Sequence, residues 1–270
     1  VTTLREEIAG ATASLAEVGC DSPRLDAELL LAHVLGVDRA QLVVRANDEA
    51  RGDVRTRYLA LLTRRVKREP IAYILGRKNF RQLTLAVDPR VLIPRPETEL
   101  LVEVGLTLAP GARVADVGTG SGAIALALKQ ERPDLDLIGA DISPGALSVA
   151  RMNGQRLGLA VEWVQSDLLG EIVCDAVLAN LPYVADDELL APEIARYEPQ
   201  HALLGGPDGL DLVRRLVEQV GQRQRIRLVA LEIGHTQAAA TATLLEQAGF
   251  DEIERLRDLA GHERVVVGRR

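Results

Sequence analysis

The chain is short of residues on which several classes of protein depend. Only Cys20 and Cys174 occur in 270 residues, far apart in sequence, which excludes a disulfide framework and makes a reducing cytoplasm the expected setting. Histidine appears four times, at His33, His201, His235 and His262, none with a second His or Cys at metal-ligand spacing. Glu232 and His235 look like half of a zinc-binding helix, yet Leu231 stands where the first ligand would be needed, so no metal is expected. No apolar run approaches the roughly 20 residues of a bilayer span, which excludes a helical membrane anchor within this sequence. The first residues, VTTLREEIAGATASLAEVG, carry acids and helical periodicity in place of the basic start and apolar core of a signal peptide. Aromatic residues make up 3%, and acids outnumber bases 39 to 32, a net charge of -7. A basic stripe with interleaved aromatics is missing, so direct, sequence-specific nucleic-acid binding is not expected.

What is present is a globular composition, 47% hydrophobic and 26% charged, long enough for one medium and one small domain. Up to about residue 75 the periodicity is helical. Leu4, Ile8, Ala11, Leu15 and Val18 share one face; Ser22 and Pro23 open a second helix that Gly36 closes. Val54, Tyr58, Leu61 and Arg65 form a stripe on a helix expected to run until Pro70, and its TRRVKRE end reads as a solvated basic face. RKNFRQLTLAVDPRVLIP then changes to a β-hairpin pattern. Beyond it, apolar strands alternate with helices, the signature of an α/β fold with a largely parallel sheet covered on both faces. The last two strands, DEIERLR and ERVVVGRR, are too close for a helical crossover and predict a terminal hairpin with one antiparallel strand.

Ligands of such sheets bind beyond the C-terminal strand ends. The first strand runs into DVGTGSGAIA, where Gly118, Gly120 and Gly122 allow a tight loop before a helix. The next strands end at Asp141, placed to accept hydrogen bonds from ribose hydroxyls, and at Asp167, placed to meet an adenine amino group. Gly118, Gly120 and Ala123 also satisfy a dinucleotide fingerprint, so a nicotinamide enzyme competes with an S-adenosylmethionine enzyme. Asp116 favours the latter, because a carboxylate before the first glycine would repel a pyrophosphate and could organise the loop around an ammonium group.

ANLPYV ends the fourth strand. Taken alone it is an ordinary strand-to-loop turn. Beside a methyl donor, the Asn180 side-chain carbonyl and the Leu181 backbone carbonyl could each accept one hydrogen of a planar NH2 group and align its nitrogen for attack. Pro182 restricts Leu181 to extended backbone, and Tyr183 could pack on a flat substrate.

LLTRRVKREPIAYILG, VLIPRPETELL, DVGTGSGAIALAL, ANLPYV, RYEP with ALLGGPDGLD, and HERVVVGR together resemble the PrmC or HemK family of protein-(glutamine-N5) methyltransferases acting on peptide chain release factors. The resemblance covers nearly the whole chain. It implies a Rossmann-like class I methyltransferase domain over residues 96–270, preceded by a β-hairpin linker over 76–95; the helical module over 1–75 is expected to be a substrate-recognition domain or else only a shield for the catalytic one. It implies methyl transfer from S-adenosylmethionine to the glutamine amide of a Gly-Gly-Gln loop, and so a role in translation termination. Asp116, Gly118, Thr119, Gly120, Ser121, Gly122, Asp141, Asp167, Leu168 and Asn180 would hold the cofactor; Asn180, Leu181, Pro182 and Tyr183 would hold the glutamine. Phe80 could cover the cofactor, and Glu97 could cap the helix it opens. Leu181 departs from the family's Asn-Pro-Pro-Tyr but keeps the backbone carbonyl. The alternative substrate is an exocyclic amine of a nucleic-acid base, which the same Asn-x-Pro-Tyr chemistry serves; a non-catalytic cofactor-binding adaptor would have no use for Asn180 and Tyr183.

Overall fold

The computed structural model describes residues 2–270, which divide into two compact units: residues 2–76 with 190–197, and residues 77–189 with 198–270. The first unit is built from α1 (Leu4–Glu17), α2 (Pro23–Leu35), α3 (Arg39–Val44), α4 (Gly52–Val66) and α5 (Ile71–Leu75), joined by the helix Pro192–Tyr197, which is α9 in chain order. Sequence reading leaves that last helix in the catalytic region.

Local chemistry sets the helix ends. Thr3 and Glu6 form a reciprocal capping box before α1, as do Asp38 and Gln41 before α3, whose six residues the sequence reading leaves as a short segment. Pro23 occupies the first turn of α2 and Gly36 closes it in the left-handed conformation, although the Ser22 side chain makes no cap bond. The fourth helix stops at Val66, well before Pro70. Arg68, at φ 69°, takes the left-handed position of a Schellman ending: its N–H donates to Arg65 and that of Glu69 to Arg64. Pro70 instead precedes α5.

The basic end of α4 is solvated only in part: Arg64 and Lys67 are exposed, whereas Arg65 and Arg68 turn inward. Arg65 is 6% exposed, bonded to Asp26 at 2.7 Å and to Glu193 of α9 at 3.1 Å, and Arg68 grips both oxygens of Glu193 at 2.6 Å. Guanidinium groups can be buried here because the carboxylates meet them in matched geometry.

In the second unit the hairpin of β1 (Arg77–Phe80) and β2 (Leu83–Ala86) is followed by α6 (Glu99–Leu106), β3 (Arg113–Val117), α7 (Ala123–Glu131), β4 (Asp136–Asp141), α8 (Pro144–Leu157), β5 (Glu162–Gln165) and β6 (Ala176–Asn180). After α9 come α10 (Asp211–Gly221), β7 (Leu228–Glu232), α11 (Ala238–Gln247), β8 (Glu252–Arg257) and β9 (Glu263–Arg269). Seven strands form one sheet in the order β5-β4-β3-β6-β7-β9-β8, parallel except for β9, which runs antiparallel to both neighbours. This is the Rossmann-like class I methyltransferase arrangement.

Period-two alternation fills a core on each face. Val177, Ala179, Val229 and Leu231 point to one layer; Ala176, Leu178, Leu228 and Ala230 point to the other. Phe80, Leu83 and Leu85 of the hairpin belong to the second layer with Leu101 and Leu126, so the hairpin is core-packed and more than a linker. The direction in which successive strands are laid across the sheet switches between β3 and the parallel β6, which opens a crevice above their C-terminal ends.

Candidate active site

One cavity of about 320 Å³ occupies that crevice. Gly118, Thr119, Gly120, Ser121, Asp141, Asp167, Leu168, Asn180, Leu181 and Pro182 line it, together with residues the sequence reading left without a role: Thr98, Arg90, His201 and Arg215.

The glycine loop is held from within. Gly118 and Thr119 donate their N–H groups to Ala140, Gly122 donates to Thr119, and Gly120 donates to the Asp141 carboxylate at 2.9 Å. A dinucleotide pyrophosphate needs such N–H groups free. With four of them spent and carboxylates at the strand ends, the site fits a ligand carrying hydroxyls, an ammonium and a sulfonium far better than one carrying phosphates. Asp141 also accepts from Ser143 at 2.9 Å, and the Asp167 carboxylate pairs with Arg215 at 2.6 Å. Leu168, at φ 57°, makes the turn that brings Asp167 to the cavity.

Asp116 does not reach the cavity. It is 0% exposed and accepts from the Thr119 hydroxyl at 2.6 Å and the Ala125 N–H at 3.1 Å, so it braces the loop from behind. Burial pushes its carboxyl up to about 7 against those hydrogen bonds, with Asp141 adding to the rise, and its Oδ1 has no partner among the described residues. Gly122 lies at the start of α7 against the ring of Trp163, not on the cavity wall. Phe80, 2% exposed, packs in the hairpin-side core, which corrects its expected place over the cofactor. Glu97 makes no cap bond, the turn before α6 being uncapped by any side chain.

At the other wall, Asn180 donates its side-chain NH2 to the Thr98 hydroxyl oxygen at 3.1 Å. Leu181 covers Gly118: a Cβ there would stand 3.2 Å from the leucine Cδ2 and 3.4 Å from the Asn180 carbonyl. Tyr183 does not line the cavity; its hydroxyl donates to Glu232 at 3.4 Å, and burial beside that carboxyl raises the phenol pKa. Glu232, 1% exposed, is pushed up to about 7 by burial.

The signature segments buttress this motif. Gly205 and Gly209 lie against the Pro182 and Tyr183 carbonyls, where an added Cβ would come within 2.5 Å and 2.1 Å, and Gln237 donates to the Tyr183 carbonyl at 2.9 Å. Glu198 of RYEP accepts the Ile93 N–H at 3.1 Å and bonds Arg95 of LIPRPETE. These segments were recognisable as signatures, but their backing of ANLPYV depends on long-range proximity.

The PrmC N-terminal domain model matches residues 6–76 and the methyltransferase small domain model residues 96–197. A release factor glutamine methyltransferase of Neisseria gonorrhoeae is 41% identical over 257 residues, 92% of this chain and 93% of that one. That of Mycolicibacterium smegmatis is 40% identical over 279 residues, 100% and 99% of the two chains. Among solved structures, a Pyrococcus furiosus methyltransferase aligns at TM-score 0.52 and 15% identity over 68% of this chain and 87% of its own. A T. thermophilus 16S rRNA methyltransferase in complex with AdoMet and guanosine aligns at TM-score 0.51 and 15% identity, over 72% and 49%. The structural likenesses speak for the fold; the sequence matches, over nearly the full length of both partners, place the chain in the family of release factor glutamine methyltransferases.

Proposed function

We propose that this protein transfers the methyl group of S-adenosylmethionine to the side-chain amide nitrogen of the glutamine in the Gly-Gly-Gln motif of peptide chain release factors, modulating translation termination. The observation that carries this reading is the Asn180 amide. Its NH2 is engaged by Thr98, which leaves Oδ1 to accept a hydrogen from an incoming NH2 group.

When bound, S-adenosylmethionine supplies an electrophilic methyl on a positively charged sulfur. Asp141 would hold the ribose hydroxyls, the turn at Asp167 and Leu168 would meet the adenine, and the loop from Gly118 to Ser121, braced by Asp116, would surround the methionine end. Asn180 Oδ1 and the Leu181 carbonyl each accept one hydrogen of the glutamine NH2. They orient a nitrogen whose lone pair is otherwise delocalised and favour the positive charge that grows on it during attack. Tyr183 supports the wall through Glu232.

The helical unit serves as a second contact surface for the release factor. Val43 and Val44 on α3 support this, being 79% and 87% exposed beside the anchored Leu42. A cytoplasmic location accompanies this substrate. Among the described residues no helix is long and apolar enough to cross a membrane.

Radiolabelled methyl transfer to a purified release factor tests the reading, with a Gly-Gly-Ala variant of the substrate as control. Label on that control, or none on the natural sequence, would overturn it.

A further inference from the structure

We propose that Glu232 is a positioning residue for this transfer: it takes the hydroxyl hydrogen of Thr98 and so fixes which way the Asn180 amide faces. The inference rests on the reading of Asn180 as the group that receives the substrate amide.

Asn180 and Glu232 are direct partners in the register of β6 and β7, at the last position of each strand, and share one face of the sheet. Thr98 arrives over that face from the turn before α6 and is almost fully buried. Its oxygen accepts the Asn180 NH2 at 3.1 Å. A hydroxyl that accepts there still carries its own hydrogen, which a buried site must direct to another acceptor.

The Glu232 carboxyl, beside Asn180 in the strand register, offers the open acceptor. One carboxyl oxygen takes the Tyr183 hydroxyl at 3.4 Å, while Oε2 is buried without a hydrogen-bond partner among the described residues. The Thr98 hydroxyl acts on the same carboxyl, favouring its charged form against burial. A neutral carboxyl also keeps one accepting oxygen, so the arrangement survives protonation. Without an acceptor behind it, Thr98 could turn its hydrogen onto Asn180. The amide would then reverse and present NH2 to the substrate NH2, donor against donor. A carboxyl at this depth costs stability that leucine would not; its use is to impose one amide orientation at the reacting end of the cavity.

The test is a double-mutant cycle read by single-turnover methyl transfer to intact release factor, with cofactor affinity measured by calorimetry on each variant. Glu232→Leu is expected to lower the transfer rate by roughly 10- to 100-fold while changing cofactor affinity less than about threefold. Glu232→Gln, which keeps an accepting oxygen, should stay within about fivefold of wild type. In an Asn180→Ala background, Glu232→Leu should cost less than about twofold, because its target is gone. Thr98→Val provides the same cycle should Glu232→Leu fail to fold. Equal losses in both backgrounds, or wild-type transfer by Glu232→Leu, would overturn the proposal while leaving the methyltransferase reading intact. A wild-type enzyme that cannot label release factor overturns that reading first, and this proposal with it.

Discussion

Asp141 receives the backbone N–H of Gly120 at 2.9 Å, a bond that crosses from the end of β4 to the glycine loop after β3. The same carboxylate takes Ser143 on its other oxygen. It therefore shapes the loop and faces the cavity at once, and each oxygen retains a lone pair for a ligand hydroxyl.

Asp141→Ala is accordingly expected to weaken S-adenosylmethionine binding by about 1–3 kcal/mol, the scale of leaving hydrogen-bonding partners unpaired. Calorimetry would measure it. Tight NADH binding by the wild type, with no heat from S-adenosylmethionine, would contradict the cofactor assignment.

Removal of the Asn180 amide separates chemistry from binding. Asn180→Ala should lower kcat roughly 100-fold or more, as for loss of one preorganised transition-state contact, with a much smaller change in cofactor affinity. Steady-state kinetics on release factor would decide, and full turnover would exclude the role.

Asp116 predicts a pH dependence of stability. Its folded pKa of about 7 lies above the ordinary 3.8, so the folded state holds a proton that the unfolded state has lost between these values. That contribution is fully present below about pH 4 and is lost as pH rises through about 7. Asp116→Asn should remove up to about 4 kcal/mol of this fall, about three pH units at 1.4 kcal/mol each. Urea unfolding at pH 4.5 and pH 8 would show it. Glu232 has the same sign and remains, so part of the slope should persist.

Gly209→Ala places a methyl where the Tyr183 carbonyl stands, at a φ of 75° that already disfavours a side chain. The end of the ANLPYV motif must shift. Activity should fall at least roughly tenfold, with stability reduced by about 1–3 kcal/mol, the range for strained or overpacked sites. A variant with wild-type kcat would show that GGPDGLD does not position the motif.

On the helical unit, Val43→Asp with Val44→Asp leaves the buried core untouched. If this face docks the release factor, KM for the intact protein should rise about tenfold, equivalent to 1.4 kcal/mol, while a short Gly-Gly-Gln peptide is methylated as before. Equal effects on both substrates, or on neither, would remove docking from this face. Arg65 is unsuited to such a test, because reversing it would strand Asp26 and Glu193 inside the unit.

Local information was sufficient wherever the deciding forces act between near neighbours. Alternation at Ala176 to Ala179 marks a strand buried on both faces, Gly36 marks a helix end, and the spacing of the glycine loop, Asp141 and ANLPYV marks strand ends that converge. Helix propensity alone could not place the end of α4, since Arg68 adopts a conformation usually left to glycine and its guanidinium is engaged by Glu193, 125 positions away. Nor could composition distinguish a solvated Arg65 from a buried one.

The sequence by itself determined the fold class, the family and the chemistry available at the crevice, because strand periodicity and short motifs are written in consecutive residues. Only the tertiary structure decided which of those residues face the cavity. Asp116 and Tyr183 stand within or beside the expected motifs yet turn to partners behind the wall, while Thr98, 82 positions from Asn180, bonds the amide at the reacting end. Hydrogen bonding between buried groups is settled by which chain segments the sheet and its covering helices bring within about 3 Å, and that distance has no counterpart along the chain.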